Sequence, residues 1–105
     1  MMELEDFRKI VDNVPKNFFD IYKINDKQIP YVKTEACRVY QLVTFGHYKF
    51  CYEVGWQGIS PLDRAKMIAE LFRFAGLKCK MSSRIKDMVG TAYYVEVCLK
   101  ENKEL

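Results

Sequence analysis

The chain has 105 residues, half of them apolar and 30 % charged, with seven Phe, seven Tyr, one Trp and a net charge of +3. That length and balance predict one globular domain over residues 1–100, with residues 101–105 as a frayed tail, and exclude a disordered chain. No run of about 18 apolar residues exists, which excludes a helical membrane span, and Glu3, Glu5 and Asp6 stand where a secretory signal carries positive charge, so a cytoplasmic location is expected.

The first segment reads as a helix. Leu4, Phe7, Ile10, Val11 and Val14 fall at spacings of three and four, and acidic residues occupy the first turn, where they suit the helix dipole. Pro15 stops it near Val14. The next stretch predicts two strands, Phe18–Ile24 and Lys27–Lys33, joined by a tight turn at Asn25-Asp26. Pro30 places the second at an edge. A short helix over residues 16–24 is the competing reading.

A hairpin is then predicted from Cys37–Phe45 and Tyr48–Trp56 around Gly46-His47, with glycine at the first turn position. It pairs Phe45 with Tyr48 and Val43 with Phe50, placing Cys37, Val39, Val43, Phe50, Tyr52 and Trp56 on one face. A second helix follows, with Ser60 as N-cap, Pro61 at N1 and Gly76 as the stop. Strands over Leu77–Lys86 and Thr91–Lys100 complete the chain. A three-residue turn around 87–90 joins them with their apolar faces aligned.

The expected fold is α+β, in the order α-β-β-β-β-α-β-β, a mostly antiparallel sheet with two helices packed on one face.

Charge is unevenly spread. Residues 64–86 hold seven basic groups (Arg64, Lys66, Arg73, Lys78, Lys80, Arg84 and Lys86) and one acidic group, Glu70. Within Leu77–Lys86, Lys78, Lys80, Ser82, Arg84 and Lys86 alternate with Leu77, Cys79, Met81, Ser83 and Ile85. A strand throws these two sets to opposite faces. The outer face of the last hairpin then carries four cations, Ser82 and Tyr94, with Arg64, Lys66 and Arg73 extending the surface. Cations beside a flat ring suit a phosphate backbone and an unstacked base. The same pattern also describes a solvated strand whose lysines keep its edge from pairing with other chains.

Catalytic signatures are lacking. His47, the one histidine, falls in a predicted turn, where no pocket surrounds it. Ser60, Ser82 and Ser83 have no nucleophile-elbow context. Cys37, Cys51, Cys79 and Cys98 form no CxxC pair, so thiols buried as small hydrophobes are expected, without metal, cofactor or redox role. Trp56, between Gly55 and Gly58, reads as a core anchor or lid.

The sequence therefore predicts a non-catalytic binding protein whose basic sheet face engages nucleic acid or an acidic, nucleic-acid-handling protein. Size and class also fit an inhibitor carried by a phage or mobile element, for example one directed against a host defence nuclease. The alternative is a protein–protein adaptor or homodimer. It would use the Tyr- and Trp-rich hairpin and a face holding Tyr40, Leu42, Cys51 and Tyr94, without nucleic-acid binding.

Overall fold

The computed structural model describes residues 2–43, 47–86 and 90–98. Its elements in chain order are α1 (Leu4–Asp12), α2 (Lys16–Asp20), α3 (Ile29–Leu42), β1 (His47–Tyr52), α4 (Pro61–Phe74), β2 (Lys78–Lys86) and β3 (Gly90–Cys98). The mixed α and β class agrees with expectation, but the described residues hold four helices and one three-stranded antiparallel sheet.

The locally encoded elements stand where they were expected. α1 buries Phe7 and Val11. α4 begins at Ser60, whose Oγ accepts from the Asp63 amide at 3.2 Å, and ends before Gly76, which has φ +84°. β2 and β3 pair antiparallel with Lys86 opposite Gly90, so three residues separate the strands, as the face-matching argument requires. That turn, and Leu99 and Lys100 at the expected end of β3, lie outside the described residues.

The strands expected over 18–24 and 27–33 are absent. α2, Lys16–Asp20, covers the first part of the competing helical reading over 16–24, a turn follows it over 21–23, and the second stretch opens α3. Asn25 Oδ1 accepts from the amides of Lys27 and Gln28, each at 3.0 Å, while Gln28 Oε1 accepts from the Asn25 amide at 2.9 Å. This reciprocal pair is a capping box. Pro30 sits in the first turn of α3, where its missing N–H costs no bond. The supposed turn and edge proline are thus a helix start.

The hairpin across Gly46-His47 is also corrected. Its first half is α3, which buries Val32, Ala36, Val39 and Tyr40 at helical spacing. Gly46 lies outside the described residues, and His47 opens β1 rather than sitting in a turn. β1 pairs with β3, with Tyr48 opposite Val97, Phe50 opposite Val95 and Tyr52 opposite Tyr93. The strand order is β1-β3-β2, so β1 and β2 run parallel on either side of β3. Trp56 follows the strand, in a turn where it exchanges backbone hydrogen bonds with Ile59, both at 2.9 Å. Gln57 and Gly58 both have positive φ, +53° and +78°, the requirement of a type I′ turn. A Cβ on Gly55 would lie 2.8 Å from Ile59 O, so only glycine fits there.

α4 packs against all three strands, and α3 packs against α1 and α4. Phe72 of α4 joins these layers, with ring centroids 5.3 Å from Phe7, 6.5 Å from Tyr40 and 6.3 Å from Phe50. Phe72, Val95 and Val97 are fully buried beneath the helices. Burial of such side chains is the principal stabilising contribution. The other face of the sheet carries no helix among the described residues.

Candidate nucleic-acid interface

The open face is set by register. Residues directly opposite in an antiparallel pair share a face. Lys80 stands opposite Glu96, Ser82 opposite Tyr94, and Arg84 opposite Ala92. Across β3, Lys49 stands opposite Glu96, and Cys51 opposite Tyr94. The face therefore carries Lys78, Lys80, Ser82, Arg84 and Lys86 on β2, Tyr94 and Glu96 on β3, and Lys49 and Cys51 on β1. Lys78, Lys80, Ser82, Arg84 and Lys49 are exposed. The predicted alternation of β2 is present as written, except that Ile85, expected under the helices, is 83 % exposed.

Tyr94 lies at the middle of this surface. Lys49 Nζ stands 5.0 Å from its ring centroid, within cation–π range. Among the described residues, five cationic side chains share the face with two carboxylates, Glu96 and Glu53. Glu53, one residue past β1, pairs with Lys86 from the opposite edge strand. The hydrogen bond from Lys86 holds the Glu53 carboxyl below its usual range, and the same bond raises Lys86. The pair spans the end of β3 that holds Gly90 and Ala92, and Ala92 is only 1 % exposed.

The three helical cations do not extend this surface. They belong to α4, which covers the opposite face of the sheet. Arg64 Nη2 donates to Glu35 Oε1 at 2.6 Å, and Nη1 donates to Val54 O at 2.9 Å. Its guanidinium lies 4.8 Å from the Tyr52 ring and 5.6 Å from the Trp56 ring. Arg64 thus ties α3, α4 and the loop after β1 together, and Trp56, also against Tyr31 at 5.3 Å, belongs to that structural cluster. Tyr52 Oη and Arg64 Nε are buried there without a hydrogen-bond partner, and burial pushes the Tyr52 hydroxyl far up. Arg73 donates to Glu70 at 2.5 Å and to Cys79 O at 3.1 and 3.3 Å. Lys66 lines a groove on the helix side.

Of the face expected to hold Tyr40, Leu42, Cys51 and Tyr94, only Cys51 and Tyr94 share the open sheet. Tyr40 is buried in α3, stacked on Phe7 at 4.3 Å, and Leu42 ends α3. Lys49 was missed as a site residue because its place depends on a pairing with β3, far along the chain. Its alternation with Tyr48 and Phe50 was the available signal.

A second cationic groove, of about 360 Å³, lies between α1 and α3 and is lined by Arg8, Lys33 and Arg38 with Asp12 and Cys37. Burial pushes the Cys37 thiol up, against the pull of Arg8. Among the described residues no group of three His, Cys, Asp or Glu side chains is placed to hold a metal ion, and no helix is long and apolar enough to cross a membrane.

The arrangement defines an α+β domain with an uncovered, cation-rich sheet face. No family model matches the chain, and no curated protein or solved structure matches it.

Proposed function

We propose that this is a non-catalytic binding protein whose open sheet face holds an extended single strand of nucleic acid. The carrying observation is the row Lys78, Lys80, Ser82, Arg84 along one edge of a face that has Tyr94 at its centre. Successive same-face residues on a strand lie about 6.6 Å apart, close to the phosphate repeat of an extended strand. Phosphates then track β2 while a base stacks on Tyr94, and Lys49 moves from the ring to a neighbouring phosphate. Ser82 supplies a neutral phosphate donor. A sheet face with a half-exposed ring suits unstacked bases better than a duplex, whose bases are enclosed.

Fluorescence anisotropy with a labelled single-stranded oligonucleotide over a salt series tests this reading. The expected log–log slope is about −2 to −3 for three or four neutralised phosphates. Replacing Lys78, Lys80, Arg84 and Lys86 by Ser abolishes binding and leaves thermal unfolding nearly unchanged. Tyr94→Ala weakens binding by about 1–3 kcal/mol. Undiminished binding by the fourfold variant, or no binding by the parent, ends the reading.

A further inference from the structure

β2 is an edge strand. Beside it Phe18 of α2, and Ile21 and Tyr22 of the turn that follows, overhang a groove of about 360 Å³. Met81 of β2 and Lys66, Glu70 and Arg73 of α4 complete its lining. Ile21 is 78 % exposed, and Ile85, further along β2, is 83 % exposed.

The backbone of this edge has a defined direction. Arg73 takes the Cys79 carbonyl with two donors, so the Cys79 backbone points away from β3. Alternation along an antiparallel strand turns Met81, Ser83 and Ile85 the same way. Among the described residues nothing comparable to Arg73 covers those three. Among the described residues the edge is thus capped at one end and uncovered for the rest of its length.

We propose that this open edge takes an extended peptide from a partner protein as a fourth strand, with acidic residues alternating with apolar ones. A residue opposite Met81 shares its face and enters the groove against Phe18, Ile21 and Tyr22. A residue opposite Ile85 covers that side chain. The intervening residues stand beside Lys80, Ser82 and Arg84 on the open face, where carboxylates match the charge. Main-chain bonds supply affinity and the groove supplies selectivity, as in other strand-addition complexes. A second copy fits less well. Antiparallel pairing of two β2 strands about Ser83 sets Lys80 of one copy opposite Lys86 of the other, a like-charge contact. The inference shares Lys80 and Arg84 with the nucleic-acid reading but does not rest on it, since affinity comes from the edge and the groove rather than from the ring of Tyr94.

The probe is a fluorescein-labelled peptide, Glu-Leu-Glu-Val-Glu-Ile-Glu, titrated with the full chain. Saturable binding is expected, weakened at least tenfold by Ile21→Asp and by Ser83→Pro. Proline at 83 removes an N–H that points outward, so the β2–β3 ladder keeps its bonds. If Ser83→Pro fails to fold, Ile21→Asp and peptide-induced NMR shifts at the Met81, Ser83 and Ile85 amides decide the matter. Absence of saturable binding, or equal affinity in the variants, overturns the proposal. So does self-association of the protein that Ser83→Pro abolishes, because a second copy then fills the edge. Loss of oligonucleotide binding in both variants also overturns it, by tracing the defect to the fold or the open face.

Discussion

Glu53 and Lys86 pair across the sheet, from just past the end of one edge strand to the end of the other. Lys86 of the basic row is therefore balanced within the protein, and the Glu53 carboxylate lies on the surface proposed to meet phosphate.

Glu53→Gln should accordingly strengthen oligonucleotide binding. Both side chains are substantially exposed, so the gain is that of a surface pair, about two- to fivefold. The salt dependence should steepen by about 0.7 in log–log slope as Lys86 becomes available to a phosphate. Anisotropy titrations at several salt concentrations measure both. An unchanged slope would place Lys86 outside the binding surface.

The Arg64–Glu35 pair should govern stability and leave binding alone. Its side chains are only 16 % and 12 % exposed, and removing one partner leaves the other charge buried. Glu35→Ala should cost about 3–5 kcal/mol in urea unfolding, and replacing both residues by Met should cost much less than the sum of the single changes. Oligonucleotide affinity of the folded variants should match the parent, because the pair lies on the helix side. A selective loss of affinity in Arg64→Met would return Arg64 to the interface.

The cysteines should separate by environment. Cys51 is exposed on the open face and Cys37 is buried, while burial pushes the half-buried Cys79 thiol up to about 11. At pH 8 a thiol reagent followed by peptide mapping should modify Cys51 well before Cys37 or Cys79, since the thiolate is the reacting form. Oligonucleotide should protect Cys51, which stands opposite Tyr94. A raised folded-state pKa stabilises the protonated form. This contribution is complete below the ordinary value near 9 and is lost as the pH rises towards 11. Tyr22, Tyr40 and Tyr52 are raised mainly by burial as well, so denaturant unfolding should show stability declining above about pH 9. A flat profile to pH 11 would contradict the burial of these groups.

Much of this architecture was legible in the residues themselves. Ser60 with Pro61 marked the start of α4, Gly76 its stop, and the alternation from Lys78 to Lys86 gave β2 and the composition of its outer face. These signals act within a few residues of chain, so they survive whatever the rest of the molecule does. The segment from Ile29 to Val43 was ambiguous. Cys37, Val39, Gln41 and Val43 alternate as a strand, while Val32, Ala36, Val39, Tyr40 and Val43 form a helical stripe. Burial against α1 and α4 settled the matter, aided by an Asn25–Gln28 cap that resembles a turn when read locally.

The position of Lys49 and the separation of Arg64, Lys66 and Arg73 from the basic row were decided only in three dimensions. β1 does not close a hairpin on its sequence neighbour but pairs with β3, setting Tyr48 opposite Val97 and Phe50, against Phe72, opposite Val95. Periodicity determines which side chains share a face of one element. Which elements then share a surface depends on long-range pairing, where the apolar area buried by the whole domain outweighs the entropy of closing the loops between them.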